Sequence, residues 1–194
     1  MSQVACVENQ AESRRKNPRC WVVCCCARRE ILVLCASNMI GIGYDVHRFA
    51  ENRPLILGGV EIPHTMGLDG HSDADVLCHA VADAVLGALG EPDIGFFFPP
   101  GDPACKGISS LKILEKCRQR CEELGYRLVN IDSTIIAEAP KVLPHRDAMR
   151  QAMGTALQLD PARVGIKATT NETMGFVGRK EGIAAMAVAM LVPL

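Results

Sequence analysis

The sequence has few aromatic residues, almost no net charge and no apolar run long enough to cross a membrane. Aromatic residues make up 4% of the 194 positions, which argues against the stacking platforms on which single-stranded nucleic acids bind. The formal net charge of −1 indicates no basic surface for nucleic acid or an anionic membrane. The apolar stretch at residues 21–35 is cut by Arg28, Arg29 and Glu30 and falls short of the ~20 residues of a membrane span. We therefore expect no nucleic-acid and no membrane partner.

The ten cysteines are concentrated at one end of the chain. Six of them lie within the first 38 residues and four in the rest. Cys117 and Cys121 lie one helical turn apart on the apolar face of a predicted helix, so we expect free buried thiols there. The spacing shows no disulfide framework, which favours a reducing, cytoplasmic location.

The chain changes character at Met39. Residues 1–38 carry basic residues around cysteine clusters without the period of a helix or strand. We predict that they are a disordered or wrongly annotated leader, with Met39 as the true start and residues 39–194 as the functional domain. An organelle transit peptide is the alternative, although Glu8, Glu12 and Glu30 count against it. Cys24, in a run of three adjacent thiols, lacks the spacing of a zinc finger.

Hydrophobic periodicity divides residues 39–194 into alternating strands and helices. Strands are predicted over residues 40–49, 128–138, 164–170 and 183–192, and helices over residues 74–89, 110–124 and from Pro144. A hairpin-like return begins at Leu55, and a short helix precedes the last strand. That strand is apolar on both faces, as a central strand would be. The pattern predicts an α+β fold, a mixed four-stranded sheet with helices on one face plus a short hairpin.

Asp45 and His47 are separated by one residue on the first predicted strand, and His79 lies on the first predicted helix. Alternation on a strand sends residues i and i+2 to the same face. One oxygen and two nitrogens suit Zn²⁺, and three protein ligands leave its fourth position open for a substrate. Spacing alone leaves open that His47 faces solvent and that His79 is an ordinary helix histidine.

Asp75, His79 and Asp83 follow helical spacing on one face. Ligating histidines usually donate their second nitrogen to a carboxylate or carbonyl. We therefore predict that Asp83 holds His79, against the alternative of a solvated carboxylate pair. Asp73 is expected to cap the helix, which leaves His71 and Ser72, earlier in the same loop, to donate to phosphate oxygens.

A polar segment, Thr169 to Glu172, ends the third long strand and is followed by two glycines and Arg179. Hydroxyls at a strand end beside glycines and an arginine suit anion binding. Glu172 adds the hard oxygen ligand that Mg²⁺ prefers alongside substrate phosphates. A capped turn without function is the alternative.

Together these segments resemble the 2-C-methyl-D-erythritol 2,4-cyclodiphosphate synthase family of the non-mevalonate isoprenoid pathway. The resemblance covers residues 39–194. It rests on residues 41–47, 71–75, 79–83, 93–95, 98–99, 135–141 and 167–179, which follow the family's order and spacing.

The resemblance implies a homotrimer with an active site at each subunit interface. Asp45, His47 and His79 would hold Zn²⁺ or another divalent cation, and Glu172 would hold Mg²⁺ or Mn²⁺ with the substrate diphosphate. His71 and Thr170 match positions credited with transition-state stabilisation. The implied substrate-binding residues are Asp45, His47, His71, Ser72, Asp93, Ile94, Gly95, Phe98, Pro99, Pro100, Gly101, Asp102, Ala137, Glu138, Ala139, Pro140, Lys141, Val142, Leu143, Thr169, Thr170, Asn171, Glu172, Phe176 and Arg179.

Within that set, the resemblance assigns different parts of the substrate to different segments. Asp93 would bind the erythritol hydroxyls, and residues 137–143 of a neighbouring subunit would frame the cytosine. Phe176 and Arg179 match positions that line a cavity on the trimer axis, where isoprenoid diphosphates bind in relatives.

The implied reaction is intramolecular. The 2-phosphate of 4-diphosphocytidyl-2-C-methyl-D-erythritol 2-phosphate attacks the β-phosphorus and expels CMP, which makes the enzyme a phosphorus–oxygen lyase. Two other functions stay open on the residues alone: a zinc-dependent phosphohydrolase, and a non-catalytic trimer that binds isoprenoid diphosphates. Thr170 and Glu172 favour catalysis.

Overall fold

The structure is a computed structural model that describes residues 37–194. The strands are β1 (Met39–Ala50), β2 (Leu55–Leu57), β3 (Val60–Ile62), β4 (Gly67–Leu68), β5 (Tyr126–Ile136), β6 (Val164–Thr169) and β7 (Gly182–Pro193). The helices are α1 (Val76–Ala88), α2 (Ile94–Phe97), α3 (Ser110–Glu123), α4 (Arg146–Leu157) and α5 (Gly175–Gly178), with single 3₁₀ turns at Pro103–Cys105, Leu143–His145 and Pro161–Arg163. The predicted leader over residues 1–38 falls outside the described residues except for its last two positions.

The main sheet has five strands in the order β4-β1-β7-β5-β6, rather than the predicted four. The additional strand, β4, pairs antiparallel with the end of β1 through Leu68 opposite Phe49. Two residues are too few for alternation to be recognised in the sequence. The sheet is mixed because β5 and β6 are parallel, the central position of β7 is confirmed, and β2 and β3 form the separate hairpin.

Helix α1 lies directly on β1, and two glycines make this close approach possible. A Cβ atom at Gly41 would come within 2.1 Å of the Ala84 carbonyl oxygen, and one at Gly43 within 2.0 Å of the Ala80 carbonyl oxygen. Asp45 and His47 continue the same face of β1. The glycines therefore bring His79, the residue before Ala80, next to the two strand ligands.

The helices pack on one face of the sheet, as predicted, and the opposite face is exposed in the single chain. Large apolar side chains cover that face on β1 and β7. They are Ile40, Ile42, Tyr44, Val46, Met186 and Val188, and Ile40 and Ile42 are 68% and 66% exposed. A contiguous apolar face of this kind marks a surface for association.

The start of α1 differs from the prediction. Asp75, not Asp73, is the N-cap, and its buried carboxylate accepts hydrogen bonds from the backbone N–H groups of Cys78, Gly58 and Gly59. It therefore also fixes the turn between β2 and β3.

Cys117 and Cys121 are free and buried, as expected. Among the described residues, no helix has the length and hydropathy that crossing a membrane would require.

Candidate metal centre and active site

The three predicted metal ligands meet at one point between β1 and α1. Asp45 Oδ2 lies 3.0 Å from His47 Nε2 and 3.0 Å from His79 Nδ1. The two histidine nitrogens lie 3.1 Å apart. Within the part of the chain that the structure describes, this is the cluster of side chains arranged to hold a metal ion.

The donor set fits a zinc-type cation. Tetrahedral Zn²⁺ with bonds of about 2.0–2.1 Å separates its ligand atoms by about 3.3 Å, close to the distances found here. His47 Nδ1–H donates to the backbone carbonyl of Asp69, so that the lone pair of His47 Nε2 faces the other two ligand atoms. An electron-rich point of this kind requires a cation or a proton.

The electrostatics of the site agree with that arrangement. Burial raises the pKa of Asp45, but the two imidazoles paired with its carboxylate, those of His47 and His79, outweigh burial and hold that pKa well below its ordinary value. Burial lowers the pKa of His47, but pairing with the Asp45 carboxylate outweighs burial, so the pKa is raised. The carboxylate is therefore ionised and favours positive charge beside it.

The second nitrogen of His79 is held by hydroxyl groups and not by Asp83. His79 Nε2 lies 2.9 Å from Ser110 Oγ and 3.2 Å from Ser72 Oγ. The carboxylate of Asp83 accepts the backbone N–H of Ile94 at 2.9 Å instead. The predicted Asp83–His79 contact is thus wrong. Ser110 lies 31 residues from His79 in the sequence, and no local spacing could have indicated it.

Arg53, which the sequence did not single out, supports the loop that carries His71. Its guanidinium donates to the carbonyls of Gly70 and Ser72, at 2.5 and 2.7 Å. The carbonyl of His71 itself accepts the N–H of Gly107 at 2.8 Å. The backbone on both sides of His71 is therefore fixed, while its imidazole stays exposed beside the metal ligands.

A cavity of about 230 Å³ opens over the metal ligands. The predicted substrate residues in its lining are Asp45, His47, His71, Ser72, Ile94, Gly95, Phe98 and Pro100. An adjoining cavity of about 690 Å³ is lined by His71, Ser72, Pro100, Gly101 and Asp102, together with Arg53 and Lys106. Asp93 accepts the N–H of Phe96 and caps α2, and the carbonyl of Pro99 accepts the N–H of Asp102.

A second group of predicted residues forms a different cavity at the ends of β5 and β6. This cavity of about 310 Å³ is lined by Ala137, Glu138, Pro140, Lys141, Val142, Leu143, Thr169 and Thr170, among others. Its lining shares no residue with the cavity at the metal ligands. One chain therefore places the predicted site residues in two separate groups.

The turn after β6 presents Thr170 and Glu172 together. Thr170 Oγ1 donates to Glu172 Oε1 at 2.6 Å, and Glu172 and Thr173 adopt positive φ angles of 50° and 62°. The carboxylate of Glu138 accepts the N–H groups of Asn171 and Thr173, at 3.0 and 3.1 Å. Glu138 therefore stabilises a backbone turn with positive φ angles, which residues other than glycine rarely adopt.

Phe176 and Arg179 lie on and just after α5 and line none of these three cavities. Phe176 is partly exposed, and Arg179 Nε donates to Glu181 at 2.6 Å.

Comparison with known proteins gives consistent relationships. The YgbB family matches this chain over residues 38–192. The 2-C-methyl-D-erythritol 2,4-cyclodiphosphate synthase of Akkermansia muciniphila is 62% identical over 159 residues, which cover 80% of this chain and 94% of that protein. The synthase of the same name from Synechococcus elongatus is 56% identical over 153 residues, covering 79% and 96%. The solved structure described as "IspF (Plasmodium falciparum) CDP complex" superimposes with a TM-score of 0.71 at 33% identity, covering 81% and 97%.

Proposed function

Because the chain belongs to the YgbB family, we propose that it converts 4-diphosphocytidyl-2-C-methyl-D-erythritol 2-phosphate to 2-C-methyl-D-erythritol 2,4-cyclodiphosphate and CMP. It is a lyase of isoprenoid biosynthesis, as the 62% and 56% identical synthases indicate. The observation that carries the proposal is the convergence of Asp45, His47 and His79 within 3.1 Å of one another at the floor of a cavity.

The reaction needs no strong general base. The attacking group is a phosphate, which already carries most of its negative charge at pH 7 because its second pKa is about 6. The barrier arises from repulsion between anions and from the search for an in-line geometry. The chain therefore has to neutralise charge and fix orientation.

Asp45, His47 and His79 would hold Zn²⁺ or another divalent cation, and Glu172 would hold Mg²⁺ or Mn²⁺. Cations bound there supply Lewis-acid stabilisation of the charge on the substrate diphosphate. His71 and Thr170 would donate hydrogen bonds to phosphate oxygens as charge develops. The anchored backbone around His71 supports this role because a fixed donor needs no reorganisation during the reaction.

The two separate groups of site residues support a homotrimer in which neighbouring chains complete each site. The metal ligands of one chain would face residues 137–143 and Thr170 of the next, and the exposed apolar sheet face would be buried between subunits. A cytidine nucleotide suits the second group, as the CDP complex of the Plasmodium falciparum relative suggests. Isoprenoid diphosphate binding near Phe176 and Arg179, and a cytoplasmic location, remain predictions from the sequence.

A single assay separates the three functions considered. The protein is incubated with the substrate, Zn²⁺ and Mg²⁺, and the products are followed by ³¹P NMR. Release of CMP with formation of the cyclic diphosphate supports the proposal. A linear product would identify a hydrolase, and a metal-loaded protein that releases no CMP would identify a binding protein.

Subunit complementation tests the shared site. Asp45→Asn and Thr170→Ala are each expected to inactivate the protein by themselves. If the two groups come from different chains, unfolding and refolding the two variants together restores part of the activity. Refolding each variant alone is the control. A mixture that stays inactive would indicate that the metal ligands and Thr170 of one active site come from the same chain.

A further inference from the structure

Asp73 and Ser110 form a hydrogen-bonded pair behind the metal ligand His79. The hydroxyl of Ser110 donates to Asp73 Oδ1 at 2.5 Å, and the backbone N–H of Ser110 donates to Asp73 Oδ2 at 2.8 Å. Ser110 is fully buried at the first residue of α3. Asp73 thus accepts from both hydrogen-bond donors of Ser110 and holds its hydroxyl in a single orientation.

This orientation decides whether Nε2 of His79 donates or accepts a hydrogen bond. An ionised carboxylate can only accept, so the hydroxyl proton of Ser110 belongs to the bond with Asp73. The oxygen of Ser110, 2.9 Å from His79 Nε2, is left as an acceptor. The hydroxyl oxygen of Ser72, 3.2 Å from the same nitrogen, already accepts the N–H of Ala74 and has a second lone pair for Nε2–H. His79 therefore carries a proton on Nε2, and Nδ1 faces Asp45 and His47.

We propose that Asp73 acts through Ser110 as a positioning pair that fixes the Nε2–H tautomer of His79 and thereby sets the affinity of the Asp45, His47 and His79 site for Zn²⁺. His47 is held by a backbone carbonyl, which no side-chain substitution removes. His79 depends instead on side chains from two other parts of the chain, the loop before α1 and the start of α3. The inference rests on the proposed zinc site.

Chelator competition measures the effect without relying on activity. Removal of partners behind a ligating histidine typically costs about 10–100-fold in metal affinity. We expect Ser110→Ala and Asp73→Asn each to weaken Zn²⁺ binding by about that factor. Ser133→Ala is the matched control, because Ser133 is also buried and donates its hydroxyl to the Gly165 carbonyl away from the metal ligands. The control should change Zn²⁺ affinity less than about twofold.

A double-substitution cycle distinguishes action through Ser110 from a direct effect of the Asp73 charge. If Asp73 acts through the hydroxyl, adding Asp73→Asn to Ser110→Ala causes no further loss of Zn²⁺ affinity. Additive losses would overturn the inference, as would a Ser110→Ala variant that binds Zn²⁺ like the Ser133→Ala control. The wild-type protein and Asp45→Asn are measured alongside. A wild-type protein that does not bind Zn²⁺ contradicts the proposed zinc site itself.

The tautomer can also be read without any variant. Long-range ¹H–¹⁵N correlation spectra of the imidazole rings in the wild-type protein should show a proton on Nε2 of His79 and on Nδ1 of His47, with and without Zn²⁺. An unprotonated Nε2 on His79 in the metal-free protein would overturn the inference even if the substituted proteins fail to fold.

Discussion

The carboxylate of Asp83 accepts the backbone N–H of Ile94 at 2.9 Å, which ties the middle of helix α1 to the first turn of helix α2. Burial raises the pKa of Asp83, although the hydrogen bond from Ile94 opposes that shift. Ile94 and Gly95 line the cavity beside the metal ligands. This hydrogen bond therefore fixes the position of Ile94 and Gly95, which form one wall of the cavity, relative to the helix that carries His79.

Asp83→Ala should impair substrate binding more than metal binding. A hydrogen bond to a charged group contributes about 1.5–3 kcal/mol, so losing it should raise KM by about tenfold or more. Zn²⁺ affinity should change less than about threefold because Asp83 does not contact His79. Steady-state kinetics and chelator competition measure the two effects.

Asp83→Asn is the matched control because its side-chain oxygen still accepts the N–H of Ile94. The KM of Asp83→Asn should therefore stay close to that of the wild type. A strong loss of Zn²⁺ affinity with an unchanged KM would contradict this assignment and support a role of Asp83 behind His79.

Glu138→Ala should disturb the turn that carries Glu172. Without the carboxylate, the N–H groups of Asn171 and Thr173 lose their acceptor, and the positive φ angles of Glu172 and Thr173 lose their support. We expect kcat to fall about tenfold and the Mg²⁺ concentration for half-maximal activity to rise. A Mg²⁺ titration of the initial rate measures both.

Glu138→Gln keeps an acceptor oxygen and should retain most of the activity. Glu61→Ala, on the exposed side of β3, controls for loss of an acidic side chain elsewhere and should behave like the wild type. If Glu138→Gln is as impaired as Glu138→Ala, the charge of Glu138 matters rather than its hydrogen bonds.

The pairing of Asp45 with His47 could be predicted from the sequence because its geometry is local: the two residues share a face on any strand. That His79 joins them followed from the family resemblance, since spacing alone left open an ordinary helix histidine. The partners of the ligands could not be predicted, since Ser110 and Ile94 reach His79 and Asp83 only through tertiary packing. Asp83 lies one helical turn from His79, but its carboxylate accepts the backbone N–H of Ile94 instead. Similarly, Asp75 rather than the predicted Asp73 caps α1, because the carboxylate of Asp75 also accepts the N–H groups of the β2–β3 turn.

Burial should protect Cys117 and Cys121 from alkylation. Burial raises the pKa of Cys117 to about 12 and that of Cys121 to about 11. A raised pKa lowers the fraction of reactive thiolate at any pH below it. At pH 8 both should react with iodoacetamide far more slowly than the half-buried Cys105, and raising the pH to 9 should leave them largely unmodified. Peptide mapping by mass spectrometry measures each site separately.

Unfolding in guanidinium chloride provides the control for that experiment. It should make Cys117, Cys121 and Cys105 react at similar rates, because the ordinary thiol pKa is about 8.5. Equal labelling of Cys117 and Cys105 in the native protein would contradict the packing of α3.

Gly43→Ala should destabilise the fold and weaken the metal site together. The added Cβ would lie 2.0 Å from the Ala80 carbonyl oxygen and 2.7 Å from the Ala84 backbone nitrogen. Both atoms belong to the backbone of α1, so relief requires the helix to move away from β1. Overpacking of this kind costs about 1–3 kcal/mol and occasionally more, and we expect a loss of about 3 kcal/mol in urea unfolding. Gly101→Ala is the control, since its Cβ would meet nothing within 4 Å, and it should be near neutral.

The metal site provides a second readout for Gly43→Ala, because His79 directly precedes Ala80 on the displaced helix while Asp45 stays on β1. A shift of α1 that separates Nδ1 of His79 from Oδ2 of Asp45 removes one ligand from the set. Zn²⁺ affinity in the folded variant should therefore fall at least tenfold, measured by chelator competition below the onset of unfolding. A variant that loses stability but binds Zn²⁺ like Gly101→Ala would show that α1 yields locally at Ala80 and that the glycines of β1 do not set the position of His79.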